Sequence, residues 1–163
     1  MVISDLVNLD LVDVNLKSST KEAALSEIVD FLYEKNKIRD KQPVLQALLD
    51  REKHGTTGIG NGVAVPHARL ESLTEVILFV GTSQQGIDFS SADGEPVRII
   101  LFLLAPVSDI GTSLKILANI ARMINDRYFT KKLLQASTNE ELYKILKQSS
   151  HDKETSYALK DQA

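Results

Sequence analysis

One histidine follows directly on a glycine-rich segment, and it is the side chain in this sequence best suited to chemistry. The segment reads Gly58-Ile-Gly-Asn-Gly-Val-Ala-Val-Pro-His67. Its glycines lack a Cβ atom, so the backbone can adopt positive φ and approach a ligand closely. Successive exposed amides in such a loop form a concavity that binds anions. The pattern therefore predicts a phosphate site at Gly58, Gly60, Asn61 and Gly62.

The imidazole of His67 would stand beside this site. Pro66 has a fixed φ and biases Val65 to an extended conformation, so the ring is presented at the end of a strand. A neutral imidazole, with an ordinary pKa of about 6.5, is a competent nucleophile near neutral pH. The N–P bond that it forms is labile, which suits a group that must be handed on.

Two familiar glycine motifs do not fit, and a plain structural role stays open. A P-loop needs Lys and Ser or Thr after its second glycine, where this chain has Val63 and Ala64. The dinucleotide fingerprint needs a glycine where Val63 stands. Glycine loops are common, however, and a single histidine on a strand is often only structural.

Composition narrows the class of protein. The 163 residues are 43% apolar and 25% charged, as in one globular domain of ordinary size. The net charge of -3 argues against a nucleic-acid partner, which would favour a basic stripe. The absence of cysteine excludes disulfides, zinc–thiolate sites and thiol nucleophiles. No secretory signal and no apolar run of membrane-spanning length are evident, so we expect a cytoplasmic protein without direct membrane insertion.

Helices are predicted on both sides of the glycine segment. Ser19-Thr-Lys-Glu22 resembles a capping box that begins a helix ending near Lys37. A second helix should start at Asp40, bury Val44, Ala47 and Leu48, and stop at Gly55. Three further helices are predicted toward the C-terminus. They are one with Leu114, Leu117, Ala121 and Ile124 on one face, a short one over Arg127–Gln135, and one begun by the capping box Thr138-Asn-Glu-Glu141.

Strands occupy the middle of the chain. We expect short strands over Val63–Val65 and Glu75–Thr82, and a turn at Asp93-Gly94. Val97–Leu104 is apolar at nearly every position, which predicts a central strand buried on both faces. The fold class is therefore α/β: a single domain over residues 1–148 with a mixed sheet flanked by helices, followed by a polar tail over residues 149–163.

The same residues resemble a known family. Gly58 to His67 is similar to the phosphorylation-site signature of type 2 enzyme IIA domains of the fructose/mannitol/nitrogen-regulatory class of the phosphotransferase system. The segment Leu48–Gly55 is similar to the part that precedes that signature in the family. Later landmarks of the family also match: Ile87-Asp-Phe89, Asp93, Pro96-Val97 and Phe102-Leu-Leu-Ala-Pro106. The similarity runs from about Leu6 to Leu146.

This resemblance implies roles for particular residues and partners. His67 would take a phosphoryl group from a phosphohistidine on a small carrier protein of the HPr type. It would pass the group to a cysteine of an enzyme IIB domain on another chain, since this chain has none. Arg51 matches the family arginine and would stabilise the equatorial oxygens of the group in transit. The arrangement requires no cofactor and no metal. A surface salt bridge of Arg51 with Asp50 or Glu52 is the alternative.

The sequence departs from many members at one position. Where they carry a second histidine, this chain has Ser113, in Gly111-Thr-Ser-Leu114. A hydroxyl can hydrogen-bond to a phosphate or orient an imidazole, but it carries no charge. Equally, Ser113 could simply cap the helix. His54 has no family counterpart and should be a solvated residue at a helix end, and the histidine spacing predicts no zinc site.

Two kinds of function follow from the resemblance. A carrier in sugar uptake or nitrogen regulation would pass its phosphoryl group onward. A binding module would instead change its affinity for a regulatory target when His67 gains about two negative charges, without obligate transfer. The rim of the glycine loop is the expected docking surface.

Overall fold

The computed structural model describes residues 3–148. One six-stranded mixed sheet has helices on both faces, as predicted. The strands are β1 (Val12–Asp13), β2 (Gly58–Gly60), β3 (Val63–Ala64), β4 (His67–Leu70), β5 (Ile77–Ile87) and β6 (Val97–Pro106). The helices are α1 (Ile3–Leu6), α2 (Lys21–Glu34), α3 (Lys41–Lys53), α4 (Ile110–Ile124), α5 (Arg127–Gln135) and α6 (139–148), with a 3₁₀ turn at Leu9–Leu11.

Strand β6 is the centre of the sheet. It pairs antiparallel with β5 along one side and parallel with both β3 and β4 along the other. The short strands β3 and β4 therefore lie end to end, separated at Val65 and Pro66, and β2 pairs with β3 at the edge. The prediction of a central strand buried on both faces is confirmed, and the strand extends to Pro106.

Alternate residues of β6 face two separate cores, as the pleat of a strand requires. Ile100, Phe102 and Leu104 pack with α2 and α3. Ile99, Leu101 and Leu103 pack with α4, α5 and α6. His67 lies opposite Leu103 in the register of β4 and β6. Its side chain is therefore on the face of the sheet that α4 covers.

The start of α2 differs from the prediction. Its N-cap is Thr20, whose Oγ1 accepts a hydrogen bond from the amide of Ala23 at 3.3 Å. The prediction of a capping box between Ser19 and Glu22 is wrong. With Thr20 as the N-cap, the glutamate of a capping box would have to stand at position 23, one residue after Glu22. The helix ends at Glu34 rather than near Lys37.

Helix α3 follows the prediction closely. Asp40 is its N-cap, and Val44 and Leu48 are buried while Ala47 is half-buried. Gly55 follows the helix with φ of +136°. That backbone conformation is readily available only to glycine, which explains the stop.

The buried face of α4 matches the predicted one only in part: Leu117 and Ile124 are half-buried and pack against the core, whereas the other two predicted residues do not. Leu114 is 55% exposed and Ala121 is also exposed. The buried residues are Ser113, Ile116, Ile120 and Met123. Both faces carry apolar residues at helical spacing, so periodicity alone could not choose between them. In the fold, Ile116, Ile120 and Met123 pack in the core between α4 and the sheet.

The C-terminal helices agree in position with the prediction. Helix α5 covers the predicted residues, and the Thr138 Oγ1 accepts a hydrogen bond from the amide of Glu141 at 3.1 Å. In a capping box the Glu141 carboxylate would accept a hydrogen bond from the amide of Thr138. Here it accepts from the amide of Ser137 instead, at 2.9 Å, one residue earlier. The expected polar tail, which includes His151, lies outside the described residues.

The remaining strands begin or end at residues other than the predicted ones. Strand β3 stops at Ala64, and β5 begins at Ile77 and continues to Ile87, beyond the predicted end at Thr82. A turn is present at Asp93-Gly94, where the Gly94 amide donates to the carbonyl of Ser91 at 3.0 Å.

Within residues 3–148, no helix combines the length and apolar character that crossing a membrane would need.

Candidate functional site

The glycine-rich segment is a β-hairpin, where the sequence predicted a loop leading into a strand. Strands β2 and β3 pair antiparallel around Asn61 and Gly62, which have φ of 57° and 77°. Two positive φ values at the centre of a two-residue connection are typical of the type I′ turn, which Asn-Gly favours. The hairpin ends three residues before His67, at the edge of the sheet.

Two amides of the expected anion cradle already have partners. The Gly58 amide donates to Oγ1 of Thr56 at 3.1 Å, and the Asn61 amide donates to the carboxylate of Asp93 at 3.0 Å. Hydrogen bonds from the amides of Glu95 and Asn61 lower the pKa of Asp93, so that carboxyl is ionised near neutral pH. A carboxylate there repels a second anion. The expectation of free amides is therefore corrected for Gly58 and Asn61, while Gly60 and Gly62 remain predictions.

The ring of His67 is held in one orientation. It is half-buried, and its Nδ1 atom lies 2.8 Å from the carbonyl oxygen of Val65. A carbonyl oxygen only accepts hydrogen bonds, so Nδ1 carries the proton in the neutral ring. The backbone on both sides is also fixed, since the amide of Val65 donates to the carbonyl of Thr57 and the amide of Leu103 donates to that of Pro66, each at 3.0 Å. The lone pair of neutral His67 is consequently on Nε2.

Arg51 lies in the last turn of α3, the helix that packs against β4. Its side chain is half-buried, and Nη1 donates to the carbonyl of Gly55 at 2.9 Å. The alternative of a salt bridge to a sequence neighbour is wrong. Asp50 interacts with Gln46 and Lys53, and Glu52 pairs with Lys21. Helix α3 packs on the sheet face opposite the one that carries the His67 ring, so the role of Arg51 at the phosphoryl group stays a prediction.

Ser113 does not cap α4. The N-cap is Asp109, whose Oδ1 accepts from the amide of Thr112 at 3.2 Å. Ser113 lies within the first turn, is 3% exposed, and its Oγ donates to the carbonyl of Ile110 at 2.9 Å. It faces the same side of the sheet as His67. With its proton donated to a carbonyl, the hydroxyl offers only lone pairs to a phosphate, which weakens the predicted role.

Two charged residues near the site, Glu52 and Arg69, were not predicted from the sequence. Glu52 is buried and forms an ion pair with Lys21. The apolar stripe of α3 at Val44 and Leu48 continues to position 52, so a charged residue on that stripe was the available signal. Arg69 was also missed. It is exposed and follows His67 by two residues in β4, and the alternation of a strand puts both on one side.

The other candidate residues lie apart from this arrangement. His54 is exposed at the C-cap of α3, as predicted. Within the described chain from residue 3 to 148, no cluster of three histidine or acidic side chains could hold a metal ion. The prediction that no metal is needed stays a prediction.

The comparisons with known proteins agree with this fold and motif. Residues 5–149 match the family described as phosphoenolpyruvate-dependent sugar phosphotransferase system, EIIA 2. The chain belongs to this family, whose members act in phosphoryl transfer. Sugar-transport and nitrogen-regulatory proteins are both among its relatives.

A nitrogen regulatory protein from Bradyrhizobium diazoefficiens is 37% identical, over 90% of this chain and 95% of its own length. The fructose-specific EIIABC component of Bacillus subtilis is 31% identical over 94% of this chain, which spans only 24% of that longer protein. The crystal structure of nitrogen regulatory protein IIA-Ntr from Neisseria meningitidis has a TM-score of 0.81 at 27% identity, covering 88% of this chain and 98% of that one.

Proposed function

We propose that this protein carries a phosphoryl group on Nε2 of His67. The donor is a phosphohistidine on an HPr-type carrier protein. As a carrier, the protein passes the phosphoryl group to an enzyme IIB cysteine, whereas in a signalling role the group stays on His67. The observation that supports this most directly is the hydrogen bond between Nδ1 of His67 and the Val65 carbonyl. It leaves the other ring nitrogen unprotonated, as a nucleophile must be.

The transfer step then balances without an additional base. The Nε2 lone pair attacks the phosphorus atom, an N–P bond forms on His67, and the donor N–P bond breaks with its electron pair returning to the donor ring. The Nδ1 proton stays on His67, shared with the carbonyl of Val65. A ring that keeps this proton is a good leaving group, so the same nitrogen can release the phosphoryl group to a thiolate.

Two arginines supply positive charge for the group in transit. Arg51 lies at the end of α3, the helix that packs against β4, and Arg69 lies on β4, two residues after His67. Phosphoryl transfer depends mostly on positioning and on electrostatic stabilisation of the equatorial oxygens, which guanidinium groups match well. Arg51 has the larger expected effect, because its half-buried position reduces screening by water.

Both partners need to reach one nitrogen, and an apolar surface near the site favours this. Val107, Ile110 and Leu114 are 42%, 49% and 55% exposed. Ile110 and Leu114 are one turn apart on α4, and the Val107 amide donates to the carbonyl of Leu70, the residue that ends the strand of His67. We call these three residues the α4 surface. The hairpin, whose rim is the other expected docking surface, carries a further exposed apolar residue, Ile59, which is 50% exposed.

The alternative function is a binding module switched by phosphorylation without obligate onward transfer. The relative called a nitrogen regulatory protein, which this chain matches over 95% of its length, favours that role. A phosphoryl group would add about two negative charges to a chain whose net charge is -3. That change is large enough to make or break an interface.

Labelled phosphoenolpyruvate, enzyme I and HPr test the proposal. We expect label on the wild type and on His54→Ala, whose exposed histidine is the matched control, and none on His67→Ala. Chase of the label to an enzyme IIB cysteine supports the carrier. Retained label that changes binding to a target supports the switch. Equal labelling of His67→Ala and wild type would overturn both.

A further inference from the structure

A buried ion pair lies behind the hairpin, and the proposed transfer step makes no use of it. Nζ of Lys21 is 2.9 Å from Oε2 of Glu52, and these side chains are only 11% and 5% exposed. Removing two charges from water costs free energy that their attraction repays only with good geometry and additional hydrogen bonds. The groups that supply those hydrogen bonds therefore indicate what the pair does.

The additional bonds all come from the residues that begin the hairpin. The Glu52 carboxylate accepts the amide of Thr57 at 3.1 Å on one oxygen and the Thr57 hydroxyl, in a short hydrogen bond, on the other. Lys21 lies 3.4 Å from Oγ1 of Thr56 and 5.1 Å from the ring centroid of Phe89. The ion pair thus holds the Thr56–Thr57 segment against α2 and α3.

From Thr57 the contacts continue to the reactive ring. The carbonyl of Thr57 accepts the amide of Val65 at 3.0 Å, and the carbonyl of Val65 lies 2.8 Å from Nδ1 of His67. The Val65 amide and the Val65 carbonyl lie in neighbouring peptide planes, separated only by the φ and ψ of Val65. Pro66 restricts that residue to an extended conformation, and the bond from the Leu103 amide to the Pro66 carbonyl holds the far side, so fixing the Val65 amide restricts the direction of its carbonyl. One continuous series of polar contacts joins the buried carboxylate to the imidazole.

We propose that Glu52 and Lys21 are positioning residues for His67, acting through Thr57 and Val65. They hold the Val65 carbonyl where it keeps the proton on Nδ1, and thereby keep Nε2 available as the nucleophile. The effect on transfer rests on the proposed function, whereas the effect on the tautomer of His67 does not. Neither residue touches the phosphoryl group.

The first test is Glu52→Gln, which removes the charge and keeps the shape. Its control is Asp30→Asn, because the Asp30–Lys41 pair also joins α2 to the region of α3 but is 50% and 43% exposed, with a separation of 3.1 Å. The ¹⁵N shifts of His67 measure the tautomer, and labelling from HPr measures the rate. For Glu52→Gln we expect a larger fraction of the Nε2–H tautomer and labelling slower by about 10- to 100-fold. Asp30→Asn should match the wild type in both.

A second pair of variants keeps the test valid if Glu52→Gln does not fold, since Lys21 would then be buried without its counter-ion. Thr57→Val removes the hydroxyl and preserves the size of the side chain, whereas Thr57→Ser keeps the hydroxyl. We expect Thr57→Val to change the tautomer and slow labelling, and Thr57→Ser to restore both toward the wild type.

The outcomes separate the two proposals. A folded Glu52→Gln or Thr57→Val protein with the wild-type tautomer would overturn this inference, whatever its labelling rate. Undiminished labelling of His67→Ala would instead overturn the proposed function, and the tautomer measurement would still decide the inference. A changed tautomer together with slower labelling supports both.

Discussion

The Nδ1 atom of His67 lies 2.8 Å from the carbonyl oxygen of Val65, a residue of the same extended segment. Pro66 stands between them, and its carbonyl is in turn bonded to the central strand through Leu103. The ring orientation and the site of the lone pair therefore follow from backbone geometry rather than from a carboxylate partner. This relationship makes the chemistry of the site open to direct measurement.

The first prediction concerns the atom that is phosphorylated. We expect neutral His67 to carry its proton on Nδ1 and the phosphoryl group to appear on Nε2, because the carbonyl of Val65 can only accept a hydrogen bond. Two-bond ¹H–¹⁵N spectra of the free and phosphorylated protein measure both. Phosphorus coupling to Nδ1 would contradict the assignment.

The second prediction concerns Arg51. Arg51→Ala should slow labelling of His67 by about 10²- to 10³-fold, as when one preorganised donor to a developing charge is lost. Arg51→Lys should recover only part of the rate, since an ammonium lacks the planar pair of donors. Lys53→Ala, which removes an exposed cation of the same helix turn, is the control. If it slows labelling as much as Arg51→Ala, the effect is one of net charge alone.

The third prediction tests the α4 surface. Leu114 is 55% exposed, so Leu114→Asp should leave stability within about 0.5 kcal/mol of the wild type. It should nevertheless raise the KM for phosphorylated HPr, because it places a charge in an apolar contact. Tyr33→Asp alters a 45% exposed residue on α2, across the sheet, and should leave that KM unchanged. Equal KM values for both variants and the wild type would remove α4 from the docking surface.

The fourth prediction separates two glycines by their surroundings. A Cβ atom on Gly58 would lie 2.5 Å from Oγ and 3.0 Å from Cα of Ser91, whereas one on Gly111 would meet nothing within 4 Å. Gly58→Ala should lower the free energy of unfolding by about 1–3 kcal/mol, the usual cost of overpacking. Gly111→Ala, within α4, should raise it by up to about 1 kcal/mol. Urea denaturation measures both, and a neutral Gly58→Ala would contradict the close approach of Ser91 to the hairpin.

The fifth prediction is a pH dependence at Asp93. Hydrogen bonds from the amides of Glu95 and Asn61 hold the pKa of this carboxyl below its ordinary 3.8. A lowered folded-state pKa means that the stabilisation is fully present above the unfolded value and is lost as the pH falls through the folded one. We expect the ¹³C shift of the Asp93 carboxyl and the ¹⁵N shift of the Asn61 amide to titrate together, below pH 3.8. Asp93→Asn should abolish that joint titration, and a midpoint at or above 3.8 in the wild type would be inconsistent with these bonds.

Several features of this protein follow from the order of its residues alone. The Asp40 cap of α3, its stop at Gly55, the bounds of α5 and the buried central strand were all predicted correctly. Each depends on local signals: a capping side chain, a positive φ, or an unbroken apolar run. The motif that ends at His67 also lies within one short segment, so the order of residues there is enough to indicate the family.

Other features were decided by the tertiary structure. Residues distant in the sequence supply the groups that surround the site. The Asp93 carboxylate accepts a hydrogen bond from the amide of Asn61, 32 positions away, and Lys21 forms an ion pair with Glu52. Similarly, α4 carries apolar residues on two faces, and its packing against the sheet buries Ser113 and exposes Leu114. Periodicity specifies which residues share a face, but not which face meets the sheet or which distant group meets a free amide. Those choices depend on the packing of the whole chain, because only the folded chain brings distant residues into contact.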